Sequence, residues 1–177
     1  AGATMPTGRA LDVALAGEAM IAVQPREGGE GYTRRGDLSV SPSGLLQNGE
    51  GLPVLGTNGP ITVPVDAKVT IGRDGAVTVA QEGQEPIEAG RIKLASPRGS
   101  ALVKGVDNIF RVSGGGALPL DEAATLTPGA LEGSNVDSTA ALVDMVETQR
   151  LYDMRARLMS TARDLDEGGA SLMRLNP

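Results

Sequence analysis

Apolar and polar residues alternate with a period of two along most of the first 113 positions, and with the period of a helix only near the end. The plainest case is KVTIGRDGAVTVA (68–80). Val69-Thr70-Ile71 and Val77-Thr78-Val79 flank Arg73-Asp74-Gly75, as a hairpin with one buried face requires. RIKLA (91–95) repeats the pattern, with Ile92 and Leu94 set between Arg91 and Lys93. ALDVALAG and AMIAVQ are short apolar runs divided at Gly17-Glu18, and NIFRV (108–112) is another strand candidate. Turn signals fall at Arg35-Gly36, Ser43-Gly44 and Asn48-Gly49, where glycine accepts conformations that other residues resist. Strands about ten residues apart, with no helical pattern between them, predict a mainly β body over 9–113, an antiparallel sandwich or irregular barrel.

Around that body lie segments of other character. Residues 1–8 read as an extended lead-in. Gly114-Gly115-Gly116 opens a linker or extended return segment over 114–133, in which Pro119 and Pro128 oppose helix. Ser134 or Asn135 can cap a helix, and Asp137 completes an approximate capping box. The chain then runs without Gly or Pro from Asp137 to about Leu165, and Gly168-Gly169 offers a stop. The pattern therefore predicts a long C-terminal α-helix over 134–167 and a polar tail over 168–177. Leu142, Met145, Gln149, Tyr152, Ala156 and Met159 form one seam on it, and Leu151, Met154, Leu158, Ala162 and Leu165 a second. Two seams exceed the single stripe of a helix lying on one surface. The alternative is a helix folded back on its own body. The chain predicts no other helix to fill the second seam, so this one is built for partners that the chain does not supply.

Composition narrows the chemistry. The chain has 25 Gly and 11 Pro, about a fifth of its length, and its three aromatics are Tyr32, Phe110 and Tyr152. Any core is therefore aliphatic. The net charge is −6, which suits nucleic acid poorly. Histidine and cysteine are both absent, removing the commonest general base, thiolate chemistry and disulfides. Nothing is long and apolar enough for direct membrane insertion. The glycine cluster GEGLPVLG (49–56) is not a nucleotide-binding fingerprint and reads as turns. Asp164, Asp166 and Glu167 read as an exposed helix end rather than a metal site. Paired carboxylates for glycoside hydrolysis remain an option, though aromatic sugar platforms are missing. The residues thus argue against an enzyme, and imply no cofactor and no metal.

Three stretches carry a resemblance. TGRALDVALAG (7–17) is similar to the TGxxLDVAIxG signature of bacterial flagellar rod and hook proteins, and YTRRGDLSVSPSGLL (32–46) to their YTRxGxFxxxxxGxL segment. LEGSNVD (131–137), leading into ETQRLYDM, resembles their C-terminal entry into a helix. The matches come in the family's order and frame nearly the whole chain, and the ending MSTARDLDEGGASLMRL resembles the proximal-rod branch, with the distal-rod branch next. The family's aromatic pair is missing at Gly17-Glu18-Ala19-Met20-Ile21, and Leu38 stands at an aromatic position, so the packing there is expected to differ.

The resemblance implies a structural subunit of the basal-body rod, in the periplasm, exported without a cleaved signal. Its partners would be other rod subunits and copies of itself. It also implies an N-terminal helical part before Ala1 that packs with the C-terminal helix in the inner tube of the rod. The assembly surface would comprise Ser134, Asn135, Val136, Leu142, Met145, Val146, Gln149, Tyr152, Leu158 and Met159. Arg34 and Arg35 would make lateral salt bridges from exposed loops. The alternative is a periplasmic or secreted all-β binding module with a helical tether. In the isolated chain, segment 137–165 should exchange its amides rapidly beside a protected β body. Full protection of that helix in a verified monomer would contradict the assembly reading.

Overall fold

The computed structural model describes residues 2–81, 83–135 and 138–174, with the side chains of 138 and 164–174 left aside. Sixteen short strands precede one helix among these residues. They begin with β1 (Thr4–Pro6), β2 (Val13–Leu15), β3 (Met20–Val23), β4 (Gly31–Thr33), β5 (Leu38–Val40) and β6 (Leu46–Asn48). Next come β7 (Leu55–Gly56), β8 (Gly59–Pro60), β9 (Lys68–Ile71), β10 (Ala76–Ala80), β11 (Ile87–Arg91) and β12 (Leu94–Ala95). The last four are β13 (Leu102–Lys104), β14 (Phe110–Val112), β15 (Leu126–Pro128) and β16 (Ala130–Glu132). Helix α1 spans Ser138–Arg174. The chain divides into two compact units, 1–135 and 136–177.

The body is a set of antiparallel sheets, with no closed barrel among the described residues. The largest sheet has the order β12-β3-β4-β14-β13, and β11-β10-β9 form a second. The 68–80 hairpin has the expected register, Val77 opposite Ile71 and Val79 opposite Val69, and Gly75 takes the left-handed backbone its turn needs (φ 81°).

Strand β3 separates two cores. Ile21 and Val23 join a large aliphatic cluster with Leu38, Leu46, Val54, Val77, Ile92 and Leu126, while Met20 and Ala22 face a smaller one with Tyr32, Ala95 and Leu118. A strand buried on both faces reads as a continuous apolar run rather than an alternation, which is what MIAV is. Leu38 is fully buried.

Segment 114–133 belongs to the body and is not a free linker. Gly114, Gly115 and Gly116 all have positive φ and turn the chain back, so that Leu118 is buried. The Leu118 N–H donates to the Tyr32 hydroxyl at 2.6 Å, and that hydroxyl donates to Glu30 at 2.8 Å. Burial pushes the Tyr32 phenol up to about 12. Strand β15 pairs with β2 and β16 with β1, so the lead-in is a strand of the body as well.

Two features of the helix differ from the expectation. It begins at Ser138, four residues after Ser134; Val136 and Asp137 lie outside the described residues. It also continues through Gly168-Gly169 to Arg174, because a glycine costs a helix only about 1 kcal/mol and the good helix formers Ala170, Leu172, Met173 and Arg174 follow. Its length is about 55 Å at 1.5 Å per residue.

Tyr32→Phe removes one hydroxyl and leaves the Leu118 N–H unpaired. It should cost about 1–3 kcal/mol in urea unfolding and expose the Leu118 amide to exchange, with the rest of the body still protected.

Candidate functional site

The three motif stretches, far apart in sequence, meet at one place on the body. Strand β1 runs antiparallel to β16, with Thr4 opposite Glu132 and Pro6 opposite Ala130. Beyond that ladder the Gly133 N–H donates to the Ala3 carbonyl at 2.8 Å. The chain therefore passes into and out of the body side by side.

Two knots hold this junction. In the first, the Thr7 and Gly8 N–H groups donate to the Gly129 carbonyl (2.8 and 3.1 Å), and the Gly129 N–H donates to the Asp12 carbonyl (2.7 Å). The Thr7 hydroxyl donates to Asp12 Oδ2 at 2.6 Å. Asp12 is fully buried, with Oδ1 3.6 Å from Arg9 Nε. The second knot is Arg34. Its Nη2 lies 2.6 Å from Glu132 Oε2 and its Nε donates to the same oxygen at 2.8 Å. Its Nη1 donates to the carbonyls of Gly17 (2.9 Å) and Ala19 (2.8 Å). Glu132 Oε1 accepts from the Gly2 N–H at 2.8 Å. A planar guanidinium with fixed donors suits such a junction, where lysine could not replace it.

The second motif joins the first by close backbone approach. The Val13 N–H donates to the Gly36 carbonyl at 2.9 Å, and a Cβ on Gly36 would run into the Val13 carbonyl. Arg35-Gly36 is thus a contact point and not the turn its sequence implied. Beside it, Arg35 grips Asp37 with two nitrogens (2.6 and 2.9 Å) and reaches Glu50 at 3.4 Å. The Arg35 guanidinium holds the Asp37 carboxyl below its ordinary value. Residues Arg34–Asp37 and Leu131–Asn135 line the two sides of one groove.

These positions correct the reading of Arg34 as an exposed lateral contact. It is partly buried and its donors point inward, because Glu132 and two turn carbonyls sit within reach. Arg35 is more exposed but is already paired. Nothing local in YTRRGD announces a partner about a hundred residues away, so sequence reasoning missed the Arg34–Glu132 pair and the Asp12 knot.

The helix has the other predicted site residues. Leu142, Met145, Val146, Gln149, Tyr152, Leu158 and Met159 are all exposed, as is every described side chain from 139 to 163. The large apolar ones among them are 48–73% exposed. Thr148 and Thr161 bond back to carbonyls one turn earlier, so their hydroxyls are satisfied within the helix. Ser134 and Asn135 are exposed at the groove; Val136 is not described. No described helix is apolar enough to cross a membrane.

A mainly β body with a clasped chain junction, together with a long helix whose apolar seams are exposed, is the architecture of a structural subunit. Residues 14–79 match the flagellar hook protein FlgE/F/G D1 domain, and residues 127–172 the flagellar basal body rod FlgEFG protein C-terminal family. The chain is 37% identical over 174 residues to the flagellar basal-body rod protein FlgF of Salmonella typhimurium strain LT2, covering 93% of this chain and 68% of that protein. It is 40% identical over 167 residues to FlgF of Escherichia coli strain K12 (89% and 66%), and 31% identical over 173 residues to the rod protein FlgG of Bacillus subtilis strain 168 (92% and 65%). The chain belongs to the bacterial flagellar rod and hook protein family. Of these relatives the FlgF proteins are the more similar, in line with the expected proximal-rod branch. The chain spans about two thirds of the length of these relatives.

Burial alone would raise the Glu132 carboxyl, but the hydrogen bonds from Arg34 and from the Gly2 N–H override it and hold the group below its ordinary value. A carboxylate depressed in the folded state stabilises above its unfolded pKa, and that contribution is lost as pH falls through the folded value. Glu132→Gln should therefore flatten the acid limb of the stability curve below about pH 4.5 and leave the neutral-to-basic side unchanged in slope. Arg34→Met should cost about 2–3 kcal/mol at neutral pH by leaving Glu132 and two carbonyls without their donor, measured by urea unfolding.

Proposed function

We propose that this chain is a structural subunit of the flagellar basal-body rod, acting in the periplasm by subunit contacts and without catalysis or a cofactor. The observation that carries this is the helix whose apolar seams lie in water, on a chain of the rod and hook family. Covering them is worth on the order of 10 kcal/mol in gross burial, before the cost of association. The helix supplies the assembly surface through Leu142, Met145, Val146, Gln149, Tyr152, Leu158 and Met159, against other rod subunits and copies of itself. Ser134, Asn135 and Val136 form the passage from body to helix. Head-to-tail contacts that do not close build a helical tube, and such a tube transmits torque because each subunit holds several neighbours.

Aspartate at both Leu142 and Met145 places charge where the seam must become dry, and both residues lie outside the 1–135 unit. In the full-length protein, Leu142→Asp with Met145→Asp should abolish motility and leave basal bodies without a complete rod. The body should still unfold at the wild-type urea concentration. Motile cells with normal basal bodies would refute the proposal.

A further inference from the structure

Tension on the chain that leaves the body has few places where it can be held. The chain exits through β16, then Gly133, Ser134 and Asn135, and continues into α1 at Ser138. Strand β16 lies in a ladder of three residue pairs with β1. Strand β1 is exposed along its whole length and, among the described residues, pairs with no other strand. Ladder bonds run across the strands, so they resist the sliding of β16 past β1. They offer nothing when both strands are drawn off together.

The ties from this strand pair to the sheets behind it therefore decide what holds. One is neutral, the Gly129 N–H on the Asp12 carbonyl at 2.7 Å. The charged one is Arg34. This residue follows Thr33, the last of β4, and β4 is the central strand of the five-stranded sheet. Its Nε and Nη2 hold Glu132 Oε2 at 2.8 and 2.6 Å, while Nη1 holds the Gly17 and Ala19 carbonyls. The two side chains are 24% and 11% exposed, which leaves water little room to replace either partner as the contact stretches. Charge-assisted bonds of this kind are the strong polar contacts of a protein.

We propose that Arg34 and Glu132 form a mechanical clamp, which passes tension on the exiting chain into the central strand of the body. The use of the clamp rests on the reading of the chain as a rod subunit, in which neighbours hold the helix while the rod turns. The clamp itself is a property of one molecule. It is also directional, because tension applied between two other points of the body does not cross it. Lysine cannot replace Arg34 here, since one ammonium lacks the fixed fork that reaches a carboxylate and two carbonyls together.

Pulling on single molecules tests this, because rupture under force follows the unfolding barrier rather than the equilibrium stability. The chain has no cysteine, so introduced thiols can carry the handles. In the full chain, Glu18→Cys and Ala141→Cys place them on the turn between β2 and β3 and in the first turn of α1, both exposed. A second tether, Val65→Cys with Val106→Cys, uses two exposed body positions and bypasses the clamp. Arg34→Lys and Glu132→Gln should each lower the first rupture force between 18 and 141 and leave that between 65 and 106 unchanged. An equal fall along both tethers would overturn the clamp and make the pair an ordinary contributor to stability. An unchanged force between 18 and 141 would overturn it as well, by placing the tension on other contacts. Neither result touches the rod reading, which stands or falls with the helix variants in cells.

Discussion

One guanidinium holds the place where the chain passes into and out of its β body. Arg34 binds the Glu132 carboxylate, and through it the Gly2 N–H, while two of its other contacts fasten the turn between β2 and β3. Four segments distant in sequence are therefore positioned by one planar group. The β1–β16 ladder and the Thr7–Asp12–Gly129 knot use the same junction. Without it, the carbonyls of Gly17 and Ala19 and the Glu132 carboxylate would lose their shared donor. The segment leading out to the helix would then start from an unfixed point.

The two units use their apolar residues in opposite ways. The body buries its valines, leucines and isoleucines in two clusters on the two faces of β3, and needs only one buried aromatic, Tyr32, to fasten the 114–118 return. The helix leaves Leu142, Met145, Leu158 and their neighbours in water. Helices in proteins owe most of their stability to packing of an apolar face. A 37-residue helix with none of its described side chains buried lacks that packing, and the proposed rod assembly would supply it.

Legibility in the sequence followed the range of the interactions. The 68–80 hairpin was readable because its turn and both alternating flanks lie within thirteen residues. Ile92 and Leu94 were assigned inward for the same reason. The Gly114–Gly116 run misled, since its meaning depends on Leu118 reaching Tyr32 across the fold. Arg34 misled because its partner is Glu132. The helix was visible in its period, but its ends were not: it begins at Ser138 rather than 134, and two adjacent glycines proved too small a penalty to stop it. The three motifs gave the family, yet only the structure shows that hydrogen bonds and ion pairs tie them together at one junction.

The central claim, a proposal, is that the helix seams are covered by assembly. Methionine oxidation reads this directly, since Met145, Met154 and Met159 are 61–65% exposed whereas Met20 is buried at 4%. With limiting peroxide, the isolated protein should oxidise at the three helix methionines and spare Met20. In assembled rods all four should be spared. Equal oxidation of Met145, Met154 and Met159 in rods and in the isolated protein would contradict the account.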